Sequence, residues 1–304
     1  MAEFKYSVFT AMLPELGIEE AAELVGKAGY DGIEWRLGVA HVRHPNDAPG
    51  AFAKGAQGNF TYWEYVKEEI PYEKVVEYAP RLKKAAAANG LKIPNVTTYI
   101  KMTQTPGIEK LVEQLFQAAQ ILEVPSFRVQ APNWNRTFDY KELYYGTLKE
   151  LDGFEKMSRR YGIRLNMEIH ADCITSSAGL AYQIARNFDP KCIGVIYDPG
   201  NMIREGMENW RIGLQLLGPY LAHVHIKNAG WFKKEQTPDK AIWERPWVPL
   251  NEGLADLQLV LSDLVYVGYP EKSGWLSLED FSVQPTEAKV VNDLKYLKHL
   301  ASLV

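Results

Sequence analysis

Eight times along this chain a short apolar, β-branched run is followed by a longer stretch of helical period, and this alternation restricts the possible folds more than any other feature. Strand–helix units of this kind pair their strands in parallel, and eight of them can close a sheet on itself. The spacing predicts strands over Tyr6–Thr10, Gly32–Arg36, Ile93–Tyr99, Ser126–Gln130, Arg164–Ile169, Gly194–Asp198, Ala222–Ile226 and Trp275–Glu279. Between them it predicts helices over Gly17–Ala28, Tyr72–Asn89, Ile108–Leu122, Tyr140–Tyr161, Ala178–Asn187, Asn209–Leu217, Ala255–Val267 and Thr286–Leu303. Glycines close several of these helices, as at Gly29, Gly90 and Gly268. A chain of 304 residues therefore suits one (β/α)8 TIM barrel, a single domain over residues 1–304. Two connections exceed an ordinary strand-to-helix turn: Leu37–Pro71 after strand 2 and Asn228–Glu252 after strand 7. In a barrel both emerge on the C-terminal face, where active sites lie, so they read as walls or a lid.

Composition narrows the partners. The 34 basic and 38 acidic residues leave a formal charge of −4 with the cations scattered, which argues against a nucleic-acid footprint. Cys173 and Cys192 form no CxxC pair, so neither a disulfide framework nor a thiolate zinc site is expected, and a reducing cytoplasm fits. No apolar run approaches the length of a membrane span, and the first residues lack a targeting pattern. Eight Trp stand out, several in loop-like segments such as 132–135 and 243–247. They fill core or surface, or face a ligand; Trp134 and Trp231 are the substrate-facing candidates.

Side chains alternate along a strand, so residues two apart share a face. In strand 5, Leu165, Met167 and Ile169 take one side while Asn166, Glu168 and His170 take the other. Strand 7 opposes Val224 and Ile226 to His223, His225 and Lys227; strand 2 puts Glu34 in phase with Arg36, and strand 4 Arg128 with Gln130. The apolar sides suit the helices, which turns the polar sides into the barrel. Glu168, Asp198, His225 and Glu279 all fall near strand C-termini, where closure brings them together. Three carboxylates and an imidazole repel one another unless a cation lies among them, and as an O3N set they suit Mn2+, Mg2+, Co2+ or Zn2+. The alternative is a set of buried ion pairs with Arg36, Arg128 and Lys227.

At these residues the chain resembles the xylose-isomerase-like TIM barrel superfamily of sugar isomerases and epimerases, with inosose dehydratases and endonuclease IV among its relatives. The segments that carry the likeness are Gly29–Glu34, Asn166–His170, Tyr197–Asn201, His223–Asn228, Val248–Gly253 and Trp275–Glu279, in the family's order. The resemblance implies one divalent metal, Mn2+ first, held by Glu168, Asp198, His225 and Glu279. It implies a small carbohydrate substrate, a keto-sugar, aldose or related polyol, isomerised or epimerised by proton abstraction next to a carbonyl through an enediolate. A lyase on the same scaffold, such as a keto-inositol dehydratase or C-glycoside-cleaving subunit, is the alternative, and a non-catalytic sugar-binding barrel the third reading. The chain departs from many relatives at Asn201, where they carry a His, and it lacks the further histidines of a trinuclear DNA-repair site.

Glu168 and Glu279 are the candidate base and acid, or serve only as ligands. His170 is placed to bond a hydroxyl or carry a proton, and Lys227 to neutralise an enolate or to pair with an acid such as Glu252. Glu34, Arg36, Arg128 and Asn201, with the two tryptophans, are the candidate substrate contacts; Glu34 and Arg36 are equally suited to pair with each other. His223 reads as structural, and His41 and His44 lie in the long loop. Relatives of this kind often pair through barrel helices, so a homo-oligomer is possible.

Overall fold

A computed structural model describes residues 3–38 and 66–304. Most of the connection after strand 2, with His41 and His44, lies outside the described residues. Eight parallel strands close a barrel: β1 (Lys5–Phe9), β2 (Gly32–Leu37), β3 (Val96–Lys101), β4 (Ser126–Gln130), β5 (Arg164–Glu168), β6 (Ile193–Tyr197), β7 (Leu221–Ile226) and, after four short strands, β12 (Trp275–Leu278). Each strand pairs with its neighbours in sequence, and β12 closes the sheet between β7 and β1. The chain is thus the (β/α)8 barrel that the alternation predicts.

Helices over Ile18–Ala28, Val75–Ala88, Ile108–Leu122, Tyr140–Tyr161, Ala178–Ala185, Trp210–Leu217, Leu257–Tyr266 and Thr286–Ala301 surround the sheet. The outward strand residues, such as Ile33, Phe127, Val129, Leu165, Met167, Val224, Ile226, Leu276 and Leu278, are fully buried in one continuous apolar core. The inward residues are polar to an unusual degree for a barrel. Glu34, Thr97, Arg128, Asn166, Glu168, His223, His225 and Ser277 are all buried.

The strand bounds shift for local reasons. β3 starts at Val96 rather than Ile93, because Pro94 has no N–H to give a ladder. β1 stops at Phe9, where Thr10–Met12 winds into a 3-10 turn and the Thr10 hydroxyl accepts from the Arg36 N–H at 2.9 Å. The predicted helix from Tyr72 begins as a 3-10 turn, Tyr72–Lys74, before Val75. β6 and β12 end one residue sooner than expected, so Asp198 and Glu279 stand just past the ladder, at the start of loops.

Two features were not anticipated. A helix of six residues, Pro199–Arg204, follows β6 directly; Asp198 caps it by accepting from the Asn201 N–H at 2.8 Å, with Pro199 preset at its first position. Gly200 lets that helix approach β7, since a Cβ there would stand 2.6 Å from the Lys227 carbonyl oxygen. The long connection after β7 is not irregular. It holds β8 (Asn228–Ala229) paired with β11 (Trp247–Val248), and between them an outlying hairpin of β9 (Phe232–Gln236) and β10 (Ala241–Glu244). Among the described residues no helix is long and apolar enough to cross a membrane.

Candidate metal centre

Glu168 at the end of β5, Asp198 just beyond β6, His225 in β7 and Glu279 just beyond β12 converge at the C-terminal mouth. Each offers one ligand atom, and the four atoms lie within 4.8 Å of one another, all buried. The parallel register sets this: Ser277 pairs with His225, and the Glu279 N–H donates to the Ile226 carbonyl at 2.9 Å, which puts the last acid one step above the imidazole. His225 Nδ1 faces the cluster, 2.9 Å from Glu168 Oε1 and 3.6 Å from Glu279 Oε2.

The other edge of His225 is equally occupied. Its Nε2 lies 3.2 Å from Glu34 Oε1, while Glu34 Oε2 lies 3.0 Å from His223 Nε2. Asn95 Nδ2 and the Thr97 hydroxyl also donate to Glu34 Oε1, at 2.7 and 2.5 Å. A carboxylate so placed fixes the tautomer and orientation of a ligating histidine. Glu34 therefore pairs with the two histidines rather than with Arg36, and it sits beneath the cluster, fully buried. Arg36 lies across the mouth over the Tyr99 ring, 5.9 Å from its centre.

The alternative of buried ion pairs is partly realised. Lys227 Nζ reaches Asp198 Oδ2 at 2.7 Å, bonds Glu279 Oε2, and stands 3.7 Å from Glu168 Oε1. Glu252 is not its partner. Arg128 bonds Glu168 Oε2 and donates through Nε and Nη2 to the Thr98 carbonyl at 3.1 and 2.7 Å. These cations do not balance the site, however: four carboxylates, counting Glu34, face two cations. With both imidazoles neutral, two negative charges stay uncompensated, which is the charge of one dication.

Protons make up the difference in the metal-free fold. Burial opposes an imidazolium at His225, yet Glu34, Glu168 and Glu279 outweigh it and hold its pKa well above the usual histidine range. Burial, then the charges of Glu168 and Glu279, push the Asp198 carboxyl up to about 8 despite Lys227. Glu168 goes the other way: burial works against its charge, but Arg128, Lys227 and His225 keep it well below the ordinary carboxylate value. Glu279 is likewise lowered against burial, by Lys227 and His225. The donor set, hard oxygens with one imidazole nitrogen, and its charge deficit both fit a divalent ion.

Asn201 and His170 adjoin this cluster. Asn201 donates through Nδ2 to Asp198 Oδ2 at 2.8 Å, while its Oδ1, also buried, has no hydrogen-bond partner among the described residues. His170 Nδ1 lies 2.6 Å from the Ala171 carbonyl, so it carries the proton and leaves Nε2 an acceptor; burial lowers its pKa and keeps the ring neutral. Trp134 and Trp231, each 42% exposed, lie on the loops after β4 and β7. Trp231 donates its indole N–H to the Ile203 carbonyl at 2.7 Å. Lys227 Nζ lies 5.1 and 5.6 Å from the ring centres of Trp247 and Phe281; Trp247 is among the loop aromatics that the sequence offers as ligand-facing, whereas Phe281 escaped the sequence reading.

A family model described as xylose isomerase-like TIM barrel matches residues 22–300 of the chain. No curated protein matches it significantly in sequence. Among solved structures it is similar to the probable 3-DHS dehydratase AsbF involved in petrobactin synthesis from Bacillus anthracis, at 16% identity and a TM-score of 0.69 over 97% of this chain and 98% of that one. It is also similar to 3-keto-D-glucoside 4-epimerase, YcjR, from E. coli, at 14% identity and a TM-score of 0.68 over 98% of this chain and 100% of that one. The IOLI protein with a bound zinc atom aligns at 17% identity and a TM-score of 0.67, over 98% of each chain. At such identities these likenesses establish the fold.

Proposed function

The chain belongs to the xylose isomerase-like TIM barrel family, and on that footing we propose that it is a divalent-metal-dependent sugar isomerase or epimerase acting on a small keto-sugar, aldose or polyol. The observation that carries this reading is the meeting of Glu168, Asp198, His225 and Glu279 within 4.8 Å at the mouth of the barrel. The four residues would hold the ion, for which Mn2+ is our first choice, and a bound ion would supply Lewis-acid stabilisation of charge on the substrate carbonyl oxygen.

The protein's own groups divide the remaining work. The bonds on Glu279 fall on Oε2, and its low pKa keeps it ionised, so Oε1 is the base for the proton beside the carbonyl. An isomerisation balances when Glu279 returns that same proton to the neighbouring carbon; in an epimerisation Glu168, clamped by Arg128 and ionised, first takes a proton from solvent and delivers it to the opposite face. Arg128 and Glu34 are positioning residues, acting through Glu168 and His225. Lys227 offsets negative charge at the site, His170 Nε2 receives a hydroxyl proton, and Asn201 Oδ1 accepts from a hydroxyl.

Incubation of Mn2+-loaded protein with keto-sugars in D2O tests the reading. Deuterium uptake at one carbon with the carbon skeleton and formula otherwise intact supports isomerisation or epimerisation. Loss of water or of an aglycone assigns the lyase instead, and no exchange with any sugar, in protein shown to hold metal, leaves a binding barrel.

A further inference from the structure

The outlying hairpin after β7 serves no closure of the barrel, yet it and the residue before it carry two well-exposed indoles. Trp231 is 42% and Trp243 51% exposed, with ring centres 6.4 Å apart and planes tilted by 57°. A register shift between Ile242 and Trp243 re-aims the second of them. The base of the hairpin is firmly tied. Trp247 pairs with Ala229 in the β8–β11 ladder, the Gly230 N–H donates to the Pro246 carbonyl at 3.1 Å, and Asn228 Nδ2 donates to the Leu250 and Ala255 carbonyls at 2.8 and 3.0 Å. The platform is thus preorganised and continuous with the strand that bears His225.

Cations and rings form a connected series from the cluster outward. Lys227 Nζ lies 5.1 Å from the Trp247 ring centre, and the Arg204 guanidinium stacks on the same indole at 4.7 Å. Arg245 donates to the Arg204 carbonyl at 2.6 Å and lies 5.5 Å from the Trp231 ring. Apolar faces beside planar donors match one ligand chemistry well: a pyranose ring, with C–H bonds on its faces and hydroxyl acceptors at its edge. We infer that Trp231, Trp243, Arg204 and Arg245 form an outer subsite for a second sugar ring, so that the substrate is a disaccharide or larger glycoside whose reacting ring lies at the metal cluster. This rests on the carbohydrate reading of the centre and specifies its substrate class.

Calorimetric titration of Mn2+-loaded protein with methyl β-D-glucopyranoside, phenyl β-D-glucopyranoside and cellobiose tests it. Cellobiose is expected to bind about tenfold or more tightly than the methyl glycoside, the gain of one well-packed ring on aromatic faces. In the Trp231→Ala/Trp243→Ala double variant, with its metal content and melting curve checked, cellobiose falls to the affinity of the methyl glycoside. Three equal affinities, or a cellobiose advantage that survives the double variant, overturns the outer subsite. So does a phenyl glycoside that matches cellobiose, which would assign an apolar aglycone, or a double variant that changes only the oligomeric mass, which would assign an interface between copies. Retained metal and methyl glycoside binding without a cellobiose gain removes this inference alone; absence of metal and of all glycoside binding removes the carbohydrate reading beneath it.

Discussion

Replacing Glu34 by Gln isolates the part this buried carboxylate plays in metal binding. The change keeps the shape of the side chain but removes the charge that His225 Nε2 meets at 3.2 Å, on the edge opposite the cluster. Loss of such a carboxylate behind a ligating histidine costs roughly 10- to 100-fold in metal affinity, or about 1.4 to 2.7 kcal/mol. The amide also turns an N–H pair toward a pocket of donors, since His223, Asn95 and Thr97 all point at Glu34. Crowding of that kind costs about 1 to 3 kcal/mol of stability unless the histidines change tautomer. Competition against a fluorescent chelator measures the affinity at neutral pH, and the visible band of the Co2+-loaded protein reports the ligand set. The account expects weaker binding with an unaltered band. Affinity within about threefold of the wild type would refute the reasoning, as would an altered band, which would make Glu34 itself a ligand.

Three further outcomes follow from the same cluster. Lys227→Met removes an ammonium that bonds Asp198 and Glu279; affinity for Mn2+ should rise about tenfold as that competing charge goes, and the metal-free protein should melt lower, both read from melting curves with and without EDTA. The pH dependence has a definite sign. Asp198 keeps its proton to about 8 in the metal-free fold but to 3.8 in the unfolded chain, so the stability it contributes is full in acid and is lost as pH rises toward 8. His225, also raised, is lost in the same direction. A dication replaces both protons, so the melting-temperature gap between Mn2+-loaded and chelated protein should widen from about pH 5 to about pH 9; a constant gap contradicts the charge account. Asn201→Ala removes the unpartnered Oδ1 and should raise KM about tenfold with metal content intact, checked by steady-state kinetics beside elemental analysis.

The positions of Glu168, His225 and Lys227 were legible because period-two alternation decides which side of a strand faces inward once one apolar side is committed to the helices. Asp198 and Glu279 were legible as residues at strand ends, although the ladders stop just before them. What alternation cannot supply is the height of one strand against another across the barrel. Glu34 looked like a partner for Arg36, its neighbour in phase; the stagger of β2 against β7 instead lowers it onto His223 and His225. Ion pairs of the cluster with Arg128 and Lys227 are among the readings of the sequence, but the same gap left open which acid each would meet: Arg128 takes Glu168, and Lys227 takes Asp198 and Glu279. The helix Pro199–Arg204 is shorter than any periodicity can reveal, and the hairpin within Asn228–Glu252 has no fully buried residue on either strand, so neither left a pattern of burial to read.

Metal content of the purified protein, set beside that of His225→Ala, bears most directly on the claim that acids distant in the chain meet at the barrel mouth around a dication. About one divalent ion per chain, sharply reduced in His225→Ala while the barrel stays folded by circular dichroism, is the expected result. A folded wild-type protein that takes up no divalent ion from Mn2+, Mg2+, Co2+ or Zn2+ buffers, or a His225→Ala protein that binds as well as the wild type, contradicts it.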